Sequence, residues 1–190
     1  EILHRLVGSE MCIRDSRLTD LPHDSLVGGP EHNWELGTRD TGAYATISEV
    51  VDYLEWLGSN VTESVDKRTR FIAAGAAIHA HEKRLTDAMI NGTGNLPGLV
   101  EMDKVKIIGG VDNPAREGLV SLVVDGLNSA DVVKKLNEQG IRTHLRKADH
   151  YSGNILDPLG LDGCVRVSMC HYNSEHEVAQ FLAAMKTIAA

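Results

Sequence analysis

Cys164-Val165-Arg166-Val167-Ser168-Met169, followed after a short polar link by Ser174-Glu175-His176-Glu177-Val178, is the stretch whose reading decides the fold. Val165 and Val167 alternate with Arg166 and Ser168, the period-two pattern of a strand with one buried face. Ser174 with Glu177 three residues on is a capping box. The stripe Val178, Phe181, Leu182, Met185 and Ile188 then gives the helix it starts one apolar side. A strand with a single apolar face that feeds a capped amphipathic helix predicts helices laid on one side of a sheet.

Working outward, the same grammar recurs upstream. Lys104–Ile108 and Gly118–Asp125 are short β-branched runs and read as strands. Ser129 is placed to cap a helix over Ala130–Gln139, with Val132, Val133 and Leu136 as its apolar stripe and Gly140 closing it. Ile141–Leu145 is expected as a further strand. Before Pro97-Gly98 the period changes to 3.6. Phe71, Ala74, Ala77, Ile78, His81, Leu85, Ala88 and Met89 share one face of a helix from about Asp66 to Asn91, which Gly92-Thr93-Gly94 ends. Ile47, Val50, Val51, Leu54 and Leu57 mark an earlier helix over Ala43–Leu57, with Gly58 as its expected C′ residue.

That earlier helix is preceded by Glu35-Leu36-Gly37-Thr38-Arg39-Asp40-Thr41-Gly42-Ala43. Glycines that permit close backbone approach and threonine hydroxyls, set just before a helix N-terminus, suit the holding of a phosphate or carboxylate. A glycine turn with Thr41 as N-cap explains the same residues, and the spacing alone leaves both readings open.

At 190 residues with 42% hydrophobic content, the chain can bury a real core. A net charge of −8 argues against a nucleic-acid or anionic-membrane partner. No apolar run approaches the roughly 20 residues needed to span a bilayer. Three cysteines without a CxxC pair fit a reducing cytoplasm better than a disulfide scaffold.

Arg166 is the first candidate for chemistry. A guanidinium in an apolar strand either faces a cleft, where it grips a carboxylate in two-pronged fashion, or lies on an exposed face or in a structural ion pair. Arg146–Gly163 is long for a connection and carries Lys147, Asp149, His150, Tyr151, Ser152 and Asn154. His144, Asp149, His150 and His171 follow no established ligand spacing, so no metal site is expected. Ser152 lacks a nucleophile elbow, and Cys164 and Cys170 are expected to be small core residues.

Together these segments resemble the C-terminal half of a class V aminotransferase-like enzyme, the pyridoxal-phosphate superfamily that includes cysteine desulfurases. The glycine-threonine segment from Trp34 to Tyr44, in its Gly37-Thr38-Arg39-Asp40 form, is similar to isopenicillin-N-epimerase-like members. Gly140-Ile141-Arg142 through His150-Tyr151 resembles the active-site loop of the small domain. Val165-Arg166-Val167-Ser168 through His171-Tyr172-Asn173-Ser174 and Glu177-Val178 resembles the strand-to-last-helix signature, the most specific of the three.

The resemblance implies an α/β protein of the aspartate-aminotransferase-like fold type I, of which this chain holds mainly the α+β small domain and the end of the large domain. Residues 17–65 would be the large domain's tail, and 66–190 the small domain with its linking helix. The cofactor would be pyridoxal 5′-phosphate, its phosphate touched by Gly37 and Thr38 across a dimer interface. Arg166 would hold the substrate α-carboxylate, and His150 would line the substrate entrance. The implied protein is a cytoplasmic homodimer that acts at the α-carbon of an amino acid by transamination, epimerisation or β-elimination.

Two departures qualify this. Tyr151 follows His150 where desulfurases carry a cysteine nucleophile. No serine/threonine-rich segment bearing the Schiff-base lysine is present, so that lysine is expected upstream and this stretch alone is expected to be inactive. A non-catalytic α+β module that binds a small anion or a partner is the alternative. Finally, Leu6-Val7-Gly8-Ser9-Glu10-Met11-Cys12-Ile13-Arg14-Asp15-Ser16 resembles a translated sequencing adapter, so residues 1–16 are expected to be an artefactual, unstructured segment.

Overall fold

The structure, a computed structural model, describes residues 41–190. The expectations for residues 1–16, for the Trp34–Leu36 strand and for Gly37 and Thr38 lie outside the described residues. The chain divides into two units, Glu1–Asp52 and Tyr53–Ala190, and each is taken by itself. Of the first unit, the described part is the opening of helix α1, which runs Thr41–Ser59. There the hydroxyls of Thr46 and Ser48 donate back to the carbonyls of Gly42 and Tyr44.

In the second unit, the end of α1 meets α2, Lys67–Asn91. Gly58 does not act as the expected C′ glycine. It lies inside the helix and buried, and a Cβ built on it would come 2.2 Å from the Arg70 carbonyl oxygen. The residue is needed for closeness, not for a left-handed turn. Glu55 fixes the same junction through Lys67 at 2.9 Å and Arg70 at 3.4 Å. Asp66 caps α2, accepting from the Thr69 amide at 2.8 Å. Gly92, at φ 99°, ends that helix, and a small hairpin follows, β1 Gly92–Thr93 with β2 Leu96–Pro97.

The main sheet contains β3 Val105–Ile108, β4 Leu119–Val124, β5 His144–Lys147 and β6 Gly163–Ser168, in the order β3-β4-β6-β5 with every pair antiparallel. Helix α3 spans Ser129–Glu138, and α5 spans Glu175–Ile188. One core draws on Leu85 and Met89 of α2, Val132 and Leu136 of α3, and Phe181, Leu182 and Met185 of α5. These residues meet Val120, Leu122, Val124, Val165 and Val167 from one face of the sheet. The helix stripes and strand alternation read from the sequence account for that layer, since each element buries the face its period makes apolar.

Three local expectations are corrected. Asn128, not Ser129, caps α3 by accepting from the Ala130 amide at 2.8 Å; the Ser129 hydroxyl donates instead to the Gly163 carbonyl at 3.1 Å. The strand expected over Ile141–Leu145 lies at His144–Lys147. Gly140 takes φ 78°, and the Ile141 amide still bonds back to Leu136, so the chain turns a corner before it can pair. The connection expected over Arg146–Gly163 is shorter, since Arg146 and Lys147 belong to β5 and Gly163 to β6, and it holds the short helix α4, Gly153–Leu156, and a 3₁₀ turn, Asp157–Leu159.

Candidate functional site

The sheet's second face is polar along β5 and β6, with Ile108, Leu119 and Val123 beside that stretch on β3 and β4. The registers pair His144 with Arg166 and Arg166 with Ser121, and Arg146 with Cys164. Directly opposed residues of an antiparallel pair share a face. His144, Arg146, Cys164, Arg166 and Ser121 therefore form one patch across β5, β6 and β4. Its backbone is rigid because β6 is paired on both sides.

Arg166 is half-buried, and its Nε is buried with no hydrogen-bond partner. No carboxylate makes a salt bridge with its guanidinium among the described residues. This disfavours the structural ion pair and leaves an always-charged fork in need of an acceptor. Burial pushes the Cys164 thiol up from its ordinary range, while the Ser121 side chain and the charges of Arg146 and Arg166 pull it back. The thiol is thus a buried, proton-bearing neighbour of two cations and not a free thiolate.

His150 occupies the turn after β5. Its ring lies against Tyr151 with centroids 3.9 Å apart, and both side chains are exposed. The turn is held by Asp149, whose Oδ1 accepts from the amides of Ser152 at 2.9 Å and Tyr151 at 3.0 Å. Those two amides hold the Asp149 carboxyl below its usual range, with smaller help from His150 and Arg146. Arg146 consequently sits between the His150 turn and the Arg166 patch.

Beyond β6 the chain is pinned by a polar knot. Asn173 Oδ1 accepts from the Cys170 amide at 2.8 Å, its carbonyl bonds the His81 ring at 2.8 Å, and Ser174 and Glu177 complete the capping box. Next to it, the Tyr53 hydroxyl lies 2.8 Å from His171 Nε2. His79, by contrast, faces Glu117 at 3.8 Å, on a different side of α2 from His81. No group of three or more His, Cys, Asp and Glu residues suited to a metal ion occurs among the described residues.

Sequence reasoning singled out Arg166 and His150 but missed Arg146 and the Tyr53–His171 pair. The expected strand ended at Leu145, and only the register of β5 against β6 puts Arg146 on the Arg166 face. The Tyr53 pair joins residues 118 apart in sequence, and no local pattern announces it.

A family model, Aminotransferase class-V, matches residues 8–181. A probable cysteine desulfurase from Pseudomonas putida is 28% identical over 152 residues, which is 80% of this chain and 31% of the relative. One from Halobacterium salinarum is 28% identical over 180 residues, 95% of this chain and 36% of its own. Among solved structures, the apo cysteine desulfurase of Thermococcus onnurineus superposes with a TM-score of 0.65 at 26% identity, covering 85% of this chain and 34% of that one. The chain thus spans about a third of the length of these relatives. The fold-type expectation is borne out by this likeness.

Proposed function

Since the chain belongs to the class V aminotransferase family, whose enzymes depend on pyridoxal 5′-phosphate, we propose that the protein it forms part of acts at the α-carbon of an amino acid, by transamination, epimerisation or β-elimination. The observation that carries this reading is the Arg166 guanidinium, held on a doubly paired strand, aimed away from the core and without a carboxylate partner among the described residues. Such a group binds the substrate α-carboxylate by charge-assisted, two-pronged hydrogen bonds and fixes the orientation of the α-carbon. When bound, the cofactor supplies an electron sink for the bond broken there.

Gly37 and Thr38 are proposed to hold the cofactor phosphate, and His150, on its exposed turn, to line the substrate entrance. Tyr151 carries no sulfur, so the proposed chemistry leaves out sulfur abstraction by that side chain. Residues 17–65 are proposed as the tail of the large domain and 66–190 as the small domain of a cytoplasmic homodimer. No helix among the described residues is long and apolar enough to cross a membrane.

This stretch alone is proposed to be inactive. Of its lysines, Lys67, Lys83 and Lys106 are engaged by Glu55, Asp87 and Asp125. Lys147 lies at the exposed end of β5, one residue out of step with the arginine face. The lysine that carries the cofactor is proposed to lie in another part of the protein. The test is to express the intact gene, load it with pyridoxal phosphate and record the visible spectrum. A cofactor band that shifts on addition of an amino acid is expected; a protein that stays colourless overturns the reading.

A further inference from the structure

Arg166 has a companion. Arg146 lies opposite Cys164 on β6 while Arg166 lies two residues further along that strand, so the two arginines are diagonal neighbours on one face. Side chains in that relation start about 7–8 Å apart at the backbone, within reach of a single small ligand for residues as long as arginine. Arg146 is half-buried and, like Arg166, has no salt-bridge partner among the described residues. Asp149, the acid near enough to feel its charge, already has Oδ1 committed to the amides of Tyr151 and Ser152. Cys164, between the arginines, is kept protonated by burial and neutralises neither.

Two adjacent guanidiniums repel each other, and partial burial weakens the screening of that repulsion. One carboxylate would satisfy only one fork. A ligand with an anion at each end satisfies both and relieves the repulsion between them. His144, exposed and directly opposite Arg166, adds a hydrogen-bonding group at the rim.

We propose that Arg146 is a specificity residue: it pairs with the side-chain carboxylate of a dicarboxylic amino acid whose α-carboxylate is held by Arg166. This rests on the reading of Arg166 given above and narrows the substrate class from amino acids in general to acidic ones. Neutral and basic amino acids leave Arg146 unsatisfied, and a basic side chain adds a third positive charge to the patch.

The experiment titrates the intact, cofactor-loaded protein with aspartate and glutamate against asparagine, glutamine and alanine, following the cofactor's visible absorbance as a binding signal. In parallel, the melting temperature of the cofactor-free protein is followed with succinate against acetate. The acids are expected to bind about tenfold or more tighter than their amides, and succinate to stabilise more than acetate. Arg146→Gln should bring the acid-to-amide ratio to about unity, and Arg146→Lys, which keeps the charge, should retain part of it. Arg166→Gln should weaken every amino acid. The proposal is overturned if the wild type binds acids and amides alike, or if folded Arg146→Gln or Arg146→Lys protein weakens both classes equally. If no amino acid perturbs the spectrum and Arg166→Gln changes nothing, the reading of Arg166 falls as well, an outcome distinct from a wild type that binds without preference.

Discussion

The two faces of the four-stranded sheet are built from alternate residues of the same strands, yet they obey different rules. On β6, Val165 and Val167 point into a core shared with three helices and are almost fully buried. Arg166, between them, keeps a buried Nε that nothing bonds. The first face is optimised for packing. The second retains an unmet electrostatic demand, which a protein selected for stability alone would remove. One strand thus holds core valines and the proposed carboxylate-binding arginine at adjacent positions, and the pleat keeps them apart.

The sharpest way to break this comparison is to mutate each face. Leu122→Ala, in the core face, should lower the unfolding free energy by about 2–5 kcal/mol by leaving a cavity between sheet and helices, read by denaturant titration. Arg166→Ala should weaken amino-acid binding to the intact enzyme by about 1.5–3 kcal/mol, the scale of a charge-assisted hydrogen bond, measured by cofactor absorbance. Arg166→Leu should leave stability within about 1 kcal/mol of the wild type or raise it, because removing an unpaired buried donor lifts a desolvation cost. A large loss of stability in Arg166→Leu would return the residue to the structural class.

The turn that follows β6 sharpens the contrast on a smaller scale. Ser174→Ala removes the N-cap of α5 and should cost about 0.5–2 kcal/mol in thermal or chemical unfolding. Glu177 reports the same cap through pH. The Ser174 amide, then its hydroxyl, then the Asn173 amide group hold the Glu177 carboxyl below its ordinary value of 4.5. A carboxyl lowered on folding adds stability above its unfolded value and loses it as pH falls through the folded one. The difference between wild type and Glu177→Gln should therefore be present at neutral pH, stay below about 1 kcal/mol because water screens an exposed carboxylate, and vanish in acid. Denaturation curves at the two pH values check it.

Much of this architecture can be read from periodicity. The α2 and α5 stripes, the β6 alternation and the Ser174–Glu177 box all depend on neighbours within four residues, and each appears where its pattern places it. What escaped reading depends on distant partners. Asn128 takes the cap of α3 because the Ser129 hydroxyl is claimed by Gly163, thirty-four residues away. Gly58 looks like a helix terminator until Arg70 is seen packed against it. Of the site, Arg166 was visible as a charge out of place in an apolar strand, whereas Arg146 became visible only once the register of β5 against β6 was known. Gly37 and Thr38 lie outside the described residues.

The strand order has one more consequence. The outermost strands, β3 and β5, are each four residues long, and among the described residues each has one side unpaired. Unpaired strand edges invite stacking of one molecule on another, and natural sheets discourage it with short, charged rims. Lys106 on β3 and the His144-Leu145-Arg146-Lys147 run on β5 supply that deterrent. Neutralising the β5 cations would therefore trade solubility as well as the proposed ligand choice, because the same charges guard this border strand against fibrous self-association.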